Sequence, residues 1–212
     1  MSEAAGSTRR PSAALSFEDL RRNFGRLRVL RGVSGRVESQ ELLLVSGSNG
    51  SGKSTLLRCL AGLMAPQRGT ITCRIGDDAL DTAERRRAIG FVSPDLELYP
   101  ELTTLENLQF FSQLRGVDPQ RGAHLLDQVG LPHNRLAGAL SSGMTQRLRW
   151  TWALLHQPAI LLLDEPLQNL DQPGRACVVQ LLEQHLESGL AVVANPDRLD
   201  LPHVASHLEL DS

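Results

Sequence analysis

The sequence predicts an α/β fold: a sheet assembled from both ends of the chain, carrying a helical insertion from its middle. Three observations point there. Short, wholly apolar runs at residues 42–45 and 159–163 read as strands covered on both faces. A Gly/Ser-rich loop follows the first of these runs and opens a segment with leucines at helical spacing. The stretch from about residue 104 to 157 repeats apolar residues three and four apart, with no alternating strand pattern.

Taken in order, residues 1–14 lack the apolar core of a signal peptide and read as a disordered tail. Residues 15–20 alternate as a half-buried strand, and a second strand fits 35–45. The loop 46–52 leads into a helix over 53–63 with Leu56, Leu57, Leu60 and Leu63 as its apolar stripe. Strands at 70–75 and 88–92 flank a short charged helix at 82–87. Helices follow at 105–111 and 122–129, then one running from an N-cap at Ser141 to about His156. A buried strand at 159–163, a helix over 173–187, a strand at 190–194 and a last strand near 204–210 complete the chain. Residues 15–212 thus form one domain, with 15–93 and 158–212 supplying the sheet part and 94–157 the helical insertion.

Bulk properties narrow the function classes. A net charge of −2 gives no global basic field for nucleic acid, and Arg85, Arg86 and Arg87 read as a solvated helix face. Cys59, Cys73 and Cys177 are scattered and read as small apolar residues, not as a disulfide framework or metal site. No run approaches the roughly 18–20 apolar residues that span a bilayer. His203 and His207 are four apart in a strand-like segment, a poor spacing for a shared metal. Trp150 and Trp152 read as core, Asn107 and Gln109 as solvent-facing helix positions.

Chemistry concentrates in Gly47-Ser48-Asn49-Gly50-Ser51-Gly52-Lys53-Ser54. Of 22 Lys+Arg residues, Lys53 is the one lysine. A slim ammonium reaches phosphates as a point charge where a planar guanidinium does not. A chance match to G-x-x-x-x-G-K-[ST] in such a chain is roughly a one-in-a-thousand event. Backbone N–H groups of this loop cradle phosphates at a helix N-terminus, Ser54 offers a hydroxyl to Mg²⁺, and Thr55 adds a donor. The second element is the run Leu161-Leu162-Leu163-Asp164-Glu165. Here Asp164 would hold Mg²⁺ and Glu165 would polarise a water attacking the γ-phosphate. The third is Leu140-Ser141-Ser142-Gly143-Met144, a capped helix start whose free N–H groups suit an anion.

The loop of Lys53, the Leu-Ser-x-Gly segment, the Leu-Leu-Leu-Asp-Glu-Pro run and Asn169-Leu170-Asp171 together resemble an ABC-transporter ATPase subunit. The likeness extends from about residue 15 to 210. In form it is similar to compact exporter ATPases such as the heme-exporter ATPase of cytochrome c maturation. The resemblance implies a P-loop NTPase (RecA-like) core with an N-terminal antiparallel β subdomain and an inserted helical subdomain. It implies ATP and Mg²⁺ as cofactors, and a head-to-tail homodimer or heterodimer with ATP between the subunits. Phe24 then matches the aromatic that stacks on adenine, the structural alternative being a buried strand-end residue. Ser141, Ser142 and Gly143 match the signature that closes on the ATP of the other subunit, and Asp171 the acid that crosses the interface. The segment Pro94 to Leu105 matches the surface where a transmembrane permease docks. Such a protein sits on the cytoplasmic face of the membrane through its permease and binds no nucleic acid.

Three positions depart from the family pattern. Pro94 stands where a glutamine contacts Mg²⁺ and the attacking water, so Ser93 or Asp95 would have to substitute. Asn195-Pro196 replaces the switch histidine, leaving Asn195 as the one donor there. Ser142-Gly143-Met144 replaces Gly-Gly-Gln. With Lys53, Ser54, Asp164 and Glu165 retained, the sequence predicts tight MgATP binding and slow hydrolysis, since each lost donor costs about 10²–10³ in rate. The competing expectations are a regulatory nucleotide-binding subunit, or a soluble ABC-type clamp acting on nucleic acid or ribosomes. That clamp class usually carries tandem units or basic tails.

Overall fold

Strand periodicity sorts the chain into two sheets. The computed structural model describes residues 11–210. Strand β1 (Ala13–Phe24) buries Ala13, Leu15 and Phe17 while the residues between them are more open. It pairs antiparallel with β2 (Leu27–Glu38) on one side and β4 (Arg68–Ile75) on the other. The short β5 (Asp78–Ala79) adds to β4, giving the order β2-β1-β4-β5.

The second sheet is parallel throughout. Its strands are β3 (Leu42–Ser46), β6 (Ile89–Val92), β7 (Ile160–Asp164), β8 (Leu190–Ala194) and β9 (Val204–Glu209). They run in the order β6-β7-β8-β3-β9. Every residue of β3, β7 and β8 is buried, which explains their unbroken aliphatic runs. Alternate residues serve two cores. Leu43, Val45, Ile160 and Leu162 join α1 (Lys53–Leu60) and Phe17 of the antiparallel sheet. Leu42, Leu44, Leu161 and Leu163 join Leu108, Trp150, Val178 and Leu182 on the opposite face.

Those four residues come from the helical side of the molecule. Helix α2 (Thr82–Ala88) leads into β6. Helices α3 (Thr104–Arg115), α4 (Gln120–Gln128) and α5 (Ser142–Leu154) form the insertion, and α6 (Gln172–Leu186) follows β7. Their starts are encoded locally. Asp81 with Glu84, and Thr103 with Glu106, make reciprocal capping boxes, while Ser141 and Asp171 cap α5 and α6.

The structure corrects several expectations. Residues 35–45 are not one strand: β2 ends at Glu38 and β3 begins at Leu42. Between them Gln40 takes φ 71° and Glu41 N–H returns to the Glu38 carbonyl. The helix after the glycine-rich loop stops at Leu60, because Gly62 turns left-handed and leaves Leu63 exposed. Strand β1 starts at Ala13 and runs on to Phe24, and most of β2 had no sequence signal. The tail expected at 1–14 lies, for residues 1–10, outside the described residues. Arg85 is buried beside Cys59 and Cys73 while Arg86 and Arg87 face solvent. Asn107 is fully buried, not solvent-facing. Trp150 is core as expected, and the three cysteines are free thiols, Cys59 and Cys73 buried.

Candidate functional site

The carboxyl ends of β3 and β7 deliver the glycine-rich loop and the two acids Asp164 and Glu165 to one edge of the parallel sheet. Gly47 leaves β3 with φ 143°, and a Cβ there would lie 2.4 Å from the Leu210 carbonyl oxygen, so only glycine fits. The loop then turns through Ser48, Asn49 and Gly50, which are exposed, and buried Ser51 into α1. Helix α1 starts at Lys53 with Gly52 as N-cap and no side-chain cap, which leaves N–H groups at its positive end. Strand β2 passes close by: a Cβ on Gly52 would meet Val29 Cγ1 at 2.7 Å.

Lys53 is 6% exposed, and its Nζ donates to the carbonyls of Gly47 (2.7 Å) and Ser48 (3.0 Å). Ser54 and Thr55 are half-buried at the first turn of α1. At the end of β7, Asp164 is 3% exposed and accepts a hydrogen bond from the Ser54 side chain. Burial pushes the Asp164 carboxyl above the usual carboxylate range. The Ser54 bond opposes this, neighbouring Glu165 adds to it, and Arg58 and Lys53 work against it. A buried carboxylate and a hydroxyl in contact are hard oxygen donors, a set that fits Mg²⁺.

Glu165 takes φ 47°, a left-handed conformation unusual for a side chain with Cβ. Its N–H donates to the Ala194 carbonyl at 2.9 Å, and its own carbonyl accepts from Gln146 Nε2 at 3.3 Å. Asn195 follows β8, and its N–H donates to the Val45 carbonyl. Its side chain Nδ2 donates to the Asp197 carbonyl at 2.8 Å, closing its own turn. Pro196 accepts from the Gly47 N–H, so this turn abuts the start of the glycine-rich loop.

Ser141, Ser142 and Gly143 form a second cluster at the start of α5. A Cβ on Gly143 would sit 2.8 Å from the Asn169 carbonyl oxygen, so the Ser-Ser-Gly turn lies directly against Asn169-Leu170-Asp171. Asp171 is exposed and accepts from the Gly174 N–H as the cap of α6. Phe24, at the tip of the β1–β2 hairpin, is 46% exposed with the Arg22 guanidinium 5.2 Å from its ring centroid. It is an open aromatic face and not a buried strand-end residue.

Around Pro94 the side chains expected to compensate are otherwise engaged. Ser93 Oγ accepts from the Asp95 N–H, and Asp95 pairs with Arg58 of α1. The Pro94 and Leu96 carbonyls accept from Arg149 of α5. Beyond them Tyr99 stands exposed, edge-on to Phe110 at 5.1 Å and near Phe111, which in turn meets Trp152 edge-on at 5.3 Å. Sequence reasoning missed Arg149, Gln146 and Arg58. The one available signal was that Gln146 and Arg149 lie three apart, on one face of a helix that starts at the Ser-Ser-Gly turn.

Among the described residues no helix is long and apolar enough to cross a membrane, and no group of three or more His, Cys, Asp or Glu side chains could hold a metal.

Comparison with known proteins agrees with this fold. The family model described as ABC transporter matches residues 30–168. The cytochrome c biogenesis ATP-binding export protein CcmA 2 of Cupriavidus metallidurans is 35% identical, over 94% of this chain and 97% of its own length. The linearmycin resistance ATP-binding protein LnrL of Bacillus subtilis is 31% identical over 84% of this chain. The chain matches 60% of LnrL's length, and about half to three fifths of several other curated relatives. Among solved structures, an ATP-binding cassette dimer in a post-hydrolysis state with ADP and Pi superposes with a TM-score of 0.75. That structure is 28% identical, over 86% of this chain and 88% of that one.

Proposed function

This chain belongs to the ABC transporter family, and we propose that it is the ATP-binding subunit of an exporter, working as a head-to-tail dimer beneath a separate membrane permease. Proteins of this family bind ATP with Mg²⁺. The observation that carries the reading is the convergence of Lys53, Ser54, Asp164 and Glu165 on the carboxyl edge of the parallel sheet.

Lys53 would exchange its two loop carbonyls for β- and γ-phosphate oxygens, while the N–H groups from Gly47 to Thr55 surround the phosphates. Ser54 and Asp164 would hold Mg²⁺, which supplies neutralisation of phosphate charge when bound. Glu165 accepts a proton from the water that attacks the γ-phosphorus, and the bond to the β-phosphate oxygen breaks to release ADP. Phe24 offers its open face to adenine. The Ser141–Gly143 turn and Asp171 would face the nucleotide held by the other subunit. The permease would dock on the segment from Pro94 to Leu105, with exposed Tyr99 at its centre. That placement puts the protein on the cytoplasmic face of the membrane. The near full-length likeness to CcmA 2 makes heme export for cytochrome c maturation the substrate reading we favour.

The same site favours slow turnover. Pro94 supplies no side-chain donor, and Asn195 Nδ2 is held by the Asp197 carbonyl. A regulatory subunit that closes on ATP and hydrolyses little is therefore the second reading. The test is a pair of measurements on purified protein: ATP turnover, and ATP-dependent dimerisation of wild type against E165Q. A dimer trapped only in E165Q, with slow but Glu165-dependent turnover that a co-purified permease accelerates, is the expected result. Equal dimerisation of both proteins would favour the regulatory reading. Absence of any ATP binding would overturn both.

A further inference from the structure

A chain of hydrogen bonds leads from the loop that begins at Pro94 to the backbone of Glu165, and Arg149 is its first link. One Arg149 side chain donates through Nη2 to the Pro94 carbonyl at 2.7 Å and through Nε to the Leu96 carbonyl at 3.1 Å. Through Nη1 it donates to Gln146 Oε1 at 3.3 Å, one turn back on α5. Gln146 is buried, and its Nε2 reaches the carbonyls of Glu165 (3.3 Å) and Pro166 (3.1 Å). Trp150 Nε1 shares the Pro166 carbonyl at 3.0 Å. Glu165 itself is held in a left-handed backbone conformation, pinned at its N–H by Ala194 and at its carbonyl by Gln146. Such a conformation persists only where its surroundings over-determine it.

We propose that Arg149 is a positioning residue: it clamps the 93–96 loop and, through Gln146, sets the backbone conformation that aims the Glu165 carboxylate. The planar fork of an arginine suits this task, because it can hold two carbonyls of one loop and a side-chain oxygen of its own helix together. Half-burial of the guanidinium strengthens these bonds, and burial also holds its proton affinity below the usual arginine value against the pull of Asp95. From the other side the Arg58–Asp95 ion pair ties the same loop to α1, next to Lys53 and Ser54. A shift of this loop would therefore reach Glu165 without passing through a side chain at position 94, where proline has none to offer. Loss of the Arg149 fork would change the rate of hydrolysis and leave nucleotide affinity alone, because the Arg58–Asp95 pair and the Lys53 contacts stay in place.

This inference rests on the ATPase reading for its kinetic part only. The variants are R149M, which keeps the stem and removes the fork, R149K, which keeps the charge, and Q146L. In R149M, kcat should fall about 10–100-fold, as misplacement of a catalytic group does. KM for ATP and the affinity for a fluorescent ATP analogue should stay within about 2-fold, since Arg149 touches no nucleotide-holding group. R149K should recover part of the rate. The double variant R149M/Q146L should be no slower than the worse single one, because both break one chain. Hydrogen exchange in nucleotide-free protein should speed up at residues 93–98 and at 164–168 in R149M, and this readout needs no turnover. Unchanged exchange at 164–168, additive rate losses, or parallel losses of affinity and kcat would overturn the proposal. Coupled exchange in a protein whose turnover is indifferent to E165Q would overturn the ATPase reading and leave the relay standing.

Discussion

Asn107 and Tyr99 hold each other twice: Asn107 Nδ2 donates to the Tyr99 carbonyl at 3.0 Å, and Asn107 Oδ1 accepts from the Tyr99 N–H at 2.9 Å. The same Nδ2 also reaches the carbonyls of Leu102 and Thr103. One fully buried amide thereby adds to the backbone bonds that Leu102 and Pro100 accept from Ala137 and Gly138, and holds the 99–103 loop against the first turn of α3.

Replacing Asn107 with Leu should accordingly destabilise the protein well beyond an ordinary surface change. The Tyr99 N–H would lose its partner, while the Tyr99, Leu102 and Thr103 carbonyls keep backbone donors. Leaving one such group unpaired costs about 1–3 kcal/mol, or roughly 3–10 °C in Tm for a chain of this size. Thermal unfolding followed by circular dichroism measures this. A shift under about 2 °C would show that water satisfies that N–H.

Lys53→Met should separate binding from stability. The ammonium is held by two loop carbonyls that solvent can partly reach, so its loss should change stability by no more than about 1 kcal/mol. ATP affinity by titration calorimetry should fall about 10–100-fold, the worth of one charge-assisted phosphate contact. Full retention of affinity would remove Lys53 from the phosphate site.

Asp164 gives a pH test with a definite sign. Its carboxyl is raised by burial, so the folded state binds that proton more tightly than the unfolded chain. Its favourable contribution is complete below the ordinary Asp pKa and is lost as pH rises through the raised value, where the ionised group destabilises the fold. D164N should therefore raise Tm at about pH 7 in nucleotide-free protein, with the gain vanishing toward about pH 4. The same variant should lose Mg²⁺-dependent ATP binding. A Tm gain independent of pH would refute the linkage.

His156 shifts the other way. Burial, with Arg115 and Arg121 nearby, pushes its pKa down to about 4, with the Ile89 backbone opposing the shift. It lines a cavity of about 510 Å³ with Asp118, Arg121 and His124. The unfolded chain then binds more protons between about pH 6.5 and about 4, so stability falls as pH drops through that window, by at most about 3 kcal/mol. In H156Q, urea unfolding at several pH values should show a shallower slope across that range. An unchanged slope would assign the acid sensitivity to other groups.

The residues proposed to hold the nucleotide were legible because their chemistry is written contiguously. Gly47 to Ser54 follow one another, and Asp164 and Glu165 end an apolar strand, so near-neighbour spacing alone exposes them. The helix cap at Ser141 was legible for the same reason, since it acts on a backbone group three residues away, whereas the caps at Thr103 and Asp171 were not read. The misreadings share the opposite property. Asn107, Arg85 and Arg149 look like surface polar residues on short helical segments, and their partners lie in other elements or in loops. The division of residues 35–45 was missed because the polar stretch Glu38 to Glu41 marks a turn only once β2 and β3 join different sheets.

By itself, then, the sequence determined the alternation of strands and helices, the phosphate-type loop around Lys53 and the acids that end β7, since local spacing and hydrophobic period are enough to specify them. Tertiary structure alone decided that Asp164 meets Ser54, that Glu165 is pinned between Ala194 and Gln146, and that Arg149 grips the loop at Pro94. Each of these is a hydrogen bond between residues far apart in the chain. Its strength and direction come from burial and relative placement, which no local pattern encodes.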